Sequence, residues 1–382
     1  MPKPASRSPS RSRTATVKRH VVVIGGGIIG CSVAWELARR GIRTTVLERS
    51  VPGAEASSAA AGILGAQIEN AVAGPLFELS WQSRELYPRW AADLARATGI
   101  DVEYRRSGVL HVDFDARALA RDRSARTFQR RSGERVVALG RPALRARVPA
   151  LSLELAGATY FPADARVDPP ALFRALRIAA ELAGVAFRSG AYVRRVLVEA
   201  EQARGVVLDD GSLVSATDVV VAAGSWSSLV EGAVLPAGGV TPARGQIAEL
   251  TLSTPLFGEV IHGPRCYLVP RDDGRVLIGS TLEFVGFRRE VTAGAVRDLL
   301  DAAIALCPAL ASAALSRTWS SFRPYVGDGL PVIGHSGVRG LVIATGHHRN
   351  GILLAPISAR IVSALIRGRR PPIEVGPFSP RR

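Results

Sequence analysis

The spacing of apolar residues predicts a strand, a helix and a second strand near the start of the chain. Residues 21–24 are consecutive apolar residues before a glycine cluster, a pattern typical of a fully buried strand. From 28 to 40, small residues recur every four positions, which predicts a closely packed helix that ends at Gly41. Residues 43–48 are the next strand. Together these elements predict a βαβ unit.

The remaining sequence contains further stretches of this kind and stretches that alternate as antiparallel strands do. Residues 51–65 are rich in Gly, Ala and Ser, and are predicted to form a loop. Helices are predicted over 74–99, 170–183, 293–306 and 350–366, and strands over 108–113, 191–198, 205–208, 218–224, 246–252, 266–270, 276–279 and 340–345.

This order of elements predicts an α/β protein with two domains. A Rossmann-like, doubly wound domain is expected from three segments, and an antiparallel-sheet domain is inserted in two pieces. The first domain is assigned to 20–88, 150–236 and 324–370, the second to 89–149 and 237–323, and tails to 1–19 and 371–382.

Charge would favour an anionic partner only if it were clustered. The net charge is +16, but only Lys3 and Lys18 are lysines, and the arginines are interpreted as spread through the chain. We therefore expect no nucleic-acid partner. Residues 1–19 are basic and poor in apolar residues, and are expected to be disordered.

The cysteines and the apolar runs limit the kind of protein. Cys31, Cys266 and Cys307 are widely spaced and form no CxxC, which argues against a disulfide framework and a thiolate metal site. No apolar run approaches the roughly 20 residues of a membrane helix. A cytoplasmic protein without a metal or a membrane span is expected.

A dinucleotide-binding fingerprint lies between the first strand and helix. Gly25, Gly27 and Gly30 form GxGxxG, and Glu48 ends the following strand. The glycines allow pyrophosphate to approach the helix N-terminus, and the acid can accept hydrogen bonds from ribose hydroxyls. The fingerprint does not separate FAD from NAD.

The motif GHHRNGI, residues 346–352, favours a flavin. It follows a strand and opens a helix, so free N–H groups can face the carbonyl and developing negative charge of a reduced flavin ring. The alternative is a glycine-capped turn with solvated histidines. His347 and His348 are interpreted as solvated in either case, not as bases.

Five stretches, in order and spacing, resemble the glycine oxidases of the thiamine pathway, which are D-amino-acid-oxidase-like FAD-dependent oxidoreductases. The resemblance covers about residues 20–368. The stretches are 22–49, 58–66, 266–271, 323–334 and 346–356.

The resemblance implies non-covalent FAD, a small amino acid and O2. Glycine would be oxidised to an imine, which feeds thiazole synthesis or hydrolyses to glyoxylate and ammonia with release of H2O2. Arg323 and Tyr267 would bind the substrate carboxylate, with Arg349 in the same pocket. Beyond the fingerprint glycines, the implied FAD contacts are Ile28, Ile29, Glu48, Arg49, Ser57, Ala61, Gly62, Ile63, Val193, His347, His348, Arg349, Asn350, Gly351, Ile352 and Leu353.

Departures from the family pattern leave substrate choice open. Glu55 and Ala56 replace Arg and Thr, Leu282 and Ile63 stand where methionine can line the pocket, and Arg265 adds a charge. The alternatives are a D-amino acid dehydrogenase, a sarcosine-type oxidase and a tRNA-associated flavoprotein. A covalent flavin is disfavoured because Cys307 is predicted to lie in a helix. A homo-oligomer is expected.

Overall fold

The computed structural model describes residues 19–382, so the predicted disorder of 1–18 lies outside the described residues. The helices are α1 (Ile28–Ala38), α2 (Ala56–Ala59), α3 (Pro75–Thr98), α4 (Ala116–Ala125), α5 (Thr127–Arg131), α6 (Arg141–Arg147), α7 (Pro169–Leu182), α8 (Ala293–Leu306) and α9 (Gly351–Ile366). The strands are β1 (His20–Ile24), β2 (Arg43–Leu47), β3 (Ile63–Leu64), β4 (Val109–Asp113), β5 (Val137–Gly140), β6 (Gly157–Phe161), β7 (Ala165–Arg166), β8 (Ala186–Arg188), β9 (Val193–Glu199), β10 (Gln202–Leu208), β11 (Leu213–Ser215), β12 (Asp218–Val221), β13 (Thr241–Thr251), β14 (Val260–His262), β15 (Tyr267–Pro270), β16 (Arg275–Gly279), β17 (Ala314–Tyr325), β18 (Val332–His335) and β19 (Leu341–Thr345).

The first sheet has the order β18-β19-β12-β1-β2-β8, and only β18 runs antiparallel to its neighbour. Alternate residues of β1 point to opposite faces: Val21 and Val23 pack with α1, α7 and α9, whereas Val22 and Ile24 pack with β9 and β10. Because both faces are covered, β1 is apolar throughout. The predicted α/β fold class with a doubly wound domain is confirmed.

The second sheet, β17-β13-β16-β15-β14-β4-β6-β5, is antiparallel except where β4 meets β14. Helix α8 covers one face, and the other face lines a cleft. Two segments differ from the predicted boundaries. Strand β6 belongs to this sheet although 150–236 was assigned to the first domain, and α3 runs unbroken through residue 88.

One prediction about an irregular segment is wrong. The predicted loop 51–65 contains α2 and β3, because β3 pairs with β7. Residues 371–382, which were assigned to a tail, are packed: Phe378 is fully buried, and Arg382 pairs with Asp328 at 2.6 Å.

The positive charge is not spread evenly, contrary to the interpretation of the sequence. Residues 116–147 contain ten arginines and two acidic residues, half of the net charge of +16. This segment comprises α4 and α5, which lie on one face of the second sheet, the edge strand β5, and α6, which lies on the opposite face. The resulting basic band surrounds the edge of the sheet farthest from β17.

Within residues 19–382, one helical segment, His348–Ile366, is long and apolar enough to cross a membrane. Of its apolar window, 67% is buried, and the helix packs against α1 and α3. Such burial is typical of a core helix in the interior of a globular domain.

Candidate FAD and substrate cleft

A continuous cleft runs from the start of α1 to the inner face of the second sheet. Two predicted residues do not line it: Gly30 packs beneath the fingerprint turn, and Leu353 faces α3, where its carbonyl accepts a hydrogen bond from Ser83. The predicted residues that line it are Gly25, Gly27, Ile28, Ile29, Glu48, Arg49, Ser57, Ala61, Gly62, Ile63, Val193, Tyr267, Arg323, His347, His348, Arg349, Asn350, Gly351 and Ile352.

The fingerprint glycines bring the backbone close together at one end of the cleft. A Cβ on Gly25 would lie 2.5 Å from the Ala222 carbonyl oxygen, and one on Gly30 would lie 1.9 Å from that of Gly25. Gly25 also has a φ of +103°, which side chains disfavour. These contacts place the N-terminus of α1 at the cleft, where Ser57 Oγ accepts from Ile28 N–H at 2.8 Å.

Glu48 lies beside this turn. Its two carboxylate oxygens accept hydrogen bonds from the N–H groups of Gly26 (2.8 Å) and Ser50 (3.0 Å). Each oxygen retains acceptor capacity for a hydroxyl. Arg49 stacks over the Trp226 ring at 4.0 Å and pairs with Glu55.

The segment 56–63 is held against the cleft by the second sheet. Trp319 Nε1 donates to the Ala59 carbonyl at 3.0 Å, and the buried Arg271 donates to the Ala61 carbonyl at 2.8 Å. Arg271 is paired with Asp168 at 3.2 Å. The segment is therefore fixed by long-range contacts.

The last helix begins at the other end of the cleft. Its N-cap, Asn350, makes no side-chain capping bond, and no acid lies in the first turn. The prediction that both histidines are solvated is wrong. His347 is fully buried and hydrogen-bonded to Ser358 Oγ at 2.9 Å, and burial lowers its pKa to about 3. His348 is half-buried, and burial followed by the charges of Arg323 and Arg349 lowers its pKa to about 4.

Arg323 and Tyr267 enter the cleft from the inner face of the second sheet. Arg323 donates to the Thr281 carbonyl at 3.1 Å and to Ser280 Oγ at 2.5 Å. Two glycines make room for these side chains: a Cβ on Gly245 would lie 2.2 Å from Arg323 Nη2, and one on Gly279 would lie 2.3 Å from Tyr267 Oη. Burial lowers the pKa of Arg323, which remains charged at neutral pH.

Arg349 lies in the same cleft but has an acidic partner. Its Nε and Nη2 donate to the two oxygens of Glu69, each at 2.9 Å. Burial alone would raise the pKa of Glu69, but the charge and hydrogen bonds of Arg349 outweigh it, so the net shift is downward. Glu69 raises the pKa of Arg349. Both groups are therefore ionised.

Sequence reasoning missed several residues of the cleft. Residues 222–226 follow β12, which pairs directly with β1, so the buried run at 218–221 could have predicted them. Glu69, Gly245 and Gly279 have no local signal, because tertiary packing alone brings them to the site.

The cysteines are separate from this chemistry. All three are buried and unpaired. Cys307 caps α8 and lies outside the helix, so the predicted helical position is off by one residue. Within residues 19–382, no group of three or more His, Cys, Asp or Glu side chains is arranged to hold a metal.

The family model described as DAO, FAD dependent oxidoreductase, matches residues 20–365. The chain belongs to this family. FAD is therefore its cofactor, as predicted.

Relatives of this FAD-dependent oxidoreductase are named glycine oxidase. The glycine oxidase of Geobacillus kaustophilus is 36% identical over 95% of this chain and 97% of its own length. A crystal structure of glycine oxidase from the same organism has a TM-score of 0.90 at 37% identity, covering 95% of this chain and 99% of that one. The bifunctional protein ThiO/ThiG of Trichormus variabilis is 37% identical over 91% of this chain, which spans 52% of that protein.

The donors in this oxidoreductase's cleft fit FAD. Both α1 and α9 begin at the cleft without an acid in the first turn. Apart from the Ile28 N–H, which is bonded to Ser57, the first-turn N–H groups of α1 have no partner within the helix and can donate to an acceptor in the cleft. Such donors suit pyrophosphate at one end and a ring carbonyl at the other. The segment between them is lined by small residues, including Ala59, Ala60 and Gly62, which leave space for a large planar group.

Proposed function

We propose that this chain oxidatively deaminates glycine, and also sarcosine or small D-amino acids, with O2 as the second substrate. Arg323 carries the proposal, because it is a buried cation in the cleft whose hydrogen-bond acceptors are neutral. A carboxylate is the natural bidentate partner for such a group. The names of the relatives support glycine as the amine.

In this proposal the residues divide between two tasks. Gly25, Gly27 and the start of α1 hold the pyrophosphate of FAD, and Glu48 holds the ribose. The segments 61–63 and 347–352 hold the ring, while Gly30 and Leu353 act through packing. Bound FAD supplies the acceptor for the two electrons that leave the amine.

Arg323 and Tyr267 hold the carboxylate and so fix the position of the α carbon. Loss of two electrons and two protons converts the amine to an imine, and O2 accepts them as H2O2. Water then adds to the imine to release glyoxylate and ammonia, unless the imine is consumed in thiazole synthesis. Because His347 and His348 stay neutral at pH 7, they add no positive charge beside the amine.

Anaerobic reduction of the bound flavin tests the substrate. Glycine, sarcosine, D-alanine and D-proline are each added to the holoprotein, and the flavin absorbance is followed. We expect glycine to bleach the flavin, and peroxide to form when air is admitted. Bleaching by a bulkier amine but not by glycine would instead identify a D-amino acid dehydrogenase or a sarcosine-type oxidase.

A tRNA-associated flavoprotein is the second candidate, favoured by the basic band at 116–147. It predicts tight RNA binding that weakens steeply with salt. We propose instead that amino-acid turnover needs no nucleic acid. Turnover of free glycine by protein lacking residues 1–18, with no RNA retardation at 150 mM salt, would exclude this candidate.

A further inference from the structure

Six charged side chains line the cleft, and they form two groups. Glu48, Arg49 and Glu55 lie at the fingerprint end. Glu69, Arg323 and Arg349 lie at the substrate end, on three separate elements. The substrate end therefore has two cations and one anion.

The two arginines differ in whether a carboxylate neutralises their charge. Arg349 and Glu69 form a bidentate ion pair with both distances at 2.9 Å, which makes that pair neutral. Arg323 donates to neutral groups, the Thr281 carbonyl and the Ser280 hydroxyl, and within residues 19–382 no carboxylate lies within ion-pair distance of it. One positive charge is therefore left for a ligand.

The neighbouring histidines do not change the net charge of the substrate end. Burial keeps His347, His348 and His262 neutral at pH 7, with pKa values of about 3, 4 and 4. Burial is the main cause of the lowered pKa of Arg323, and among the nearby charges that of Arg349 lowers this pKa further whereas that of Glu69 raises it. Removing the charge of Glu69 would therefore change the electrostatic potential at the substrate position.

We propose that Glu69 sets the net charge of the substrate end at +1 and thereby restricts the site to amines with a single carboxylate. It does so in two ways: it occupies Arg349, and it repels a second carboxylate at the same place. Discrimination by an unfavourable charge is a general source of specificity. The inference rests on the proposed function, since it concerns the amino acid held by Arg323.

The test compares two ethers that bind without being oxidised. Methoxyacetate carries one carboxylate, and oxydiacetate carries a second one in place of the methyl hydrogen. Their dissociation constants are measured in the FAD-loaded protein from the perturbation of the flavin spectrum. We expect Glu69→Gln, which keeps the size of the side chain, to improve the affinity for oxydiacetate relative to methoxyacetate by at least about tenfold.

The matched control is Glu55→Gln, which removes the same charge from the other end of the cleft, where Glu55 pairs with Arg49 and Arg289. It should leave the ratio within about twofold. A ratio that is unchanged in Glu69→Gln, or equally changed in Glu55→Gln, would overturn the inference. Reduction of wild-type flavin by glycine is measured in parallel, so its absence would count against the proposed function separately.

A different single variant, Arg349→Met, keeps the test informative if Glu69→Gln loses flavin. Arg349→Met leaves Glu69 unpaired beside Arg323 and should weaken methoxyacetate binding by at least about tenfold. The double variant Arg349→Met, Glu69→Gln restores a net charge of +1. It should regain methoxyacetate binding, and failure to do so would show that charge is not what Glu69 contributes.

Discussion

Main-chain groups form one end of the cleft, and side chains form the other. At the fingerprint end the backbone itself forms the site, with Gly25 and Gly30 packed against carbonyl oxygens at distances that exclude a Cβ. At the substrate end, long side chains form the site: Arg323 and Tyr267 extend into the space that Gly245 and Gly279 leave, and Arg349 lines the same cleft.

This difference separates the consequences of mutation. A side chain added at the fingerprint end must displace main chain, so folding and FAD binding should fail together. A side chain shortened at the substrate end leaves the main chain in place, so turnover should fail while FAD stays bound. Four predictions test this contrast.

The largest effect is expected for Gly30→Ala. Its Cβ would lie 1.9 Å from the Gly25 carbonyl oxygen, so α1 must shift from the turn. We expect loss of bound flavin and destabilisation of about 3 kcal/mol or more. Flavin content and chemical unfolding measure this. The control is Gly294→Ala in α8, where no atom lies within 4 Å of the added Cβ; a similar loss there would remove the contrast.

Arg323→Ala should abolish useful turnover without loss of flavin. Truncation removes a charged contact to the carboxylate, for which we expect at least about a hundredfold decrease in kcat/KM, or about 3 kcal/mol. Arg317→Ala is the control, because Arg317 lies on the same strand but pairs with Glu249 outside the cleft. Undiminished turnover at low glycine would show that another residue holds the carboxylate.

His347 is buried at the start of the last helix, and its contribution to stability should depend on pH. Burial lowers its pKa from 6.5 to about 3, so in that window the unfolded chain binds a proton that the folded protein does not. Stability therefore falls as pH drops below about 6.5, by about 2 kcal/mol at pH 5 from this group. The free energy of unfolding, measured in urea at pH 7 and pH 5, should decrease less between the two pH values for His347→Asn than for wild type. His335 is exposed and serves as the control. If His335→Asn reduced the pH-dependent loss of stability as much as His347→Asn does, the loss could not be attributed to the buried His347.

Tyr267→Phe is expected to have the smallest effect. In the proposed complex the hydroxyl donates one hydrogen bond to the carboxylate, whose charge Arg323 still balances, so kcat/KM for glycine should fall by about tenfold, with flavin content unchanged. Tyr160→Phe is the control, since its hydroxyl bonds to Arg147 and to the Ser107 carbonyl away from the cleft. A decrease as large as that of Arg323→Ala would mean that Tyr267 has a further role.

The elements with strong periodicity were predictable. The sequence placed α3, α7, α8 and α9 within one residue of their observed ends, because the apolar faces that define them are the faces that become buried. Segments without periodicity were predicted less well. The 56–63 segment and the C-terminal residues are held by residues distant in sequence, such as Arg271 and Asp328. No local sequence pattern predicts these contacts.

Half of the site has a local signature and half does not. The fingerprint and GHHRNG are continuous motifs, so most of their residues could be assigned to the cleft by number alone, although Gly30 packs beneath it. Glu69 was missed because its importance comes from Arg349, which lies 280 residues further along the chain. The burial of His347 was misjudged because it depends on how α9 packs into the core.

The sequence by itself determined the fold class and the fingerprint turn, since these depend on short-range periodicity and on glycines at fixed spacing. The tertiary structure alone decided which arginine is neutralised and which is left with a free charge. Ionic compensation depends on distances between side chains, and those are set only when β17, α9 and the turn at Glu69 meet.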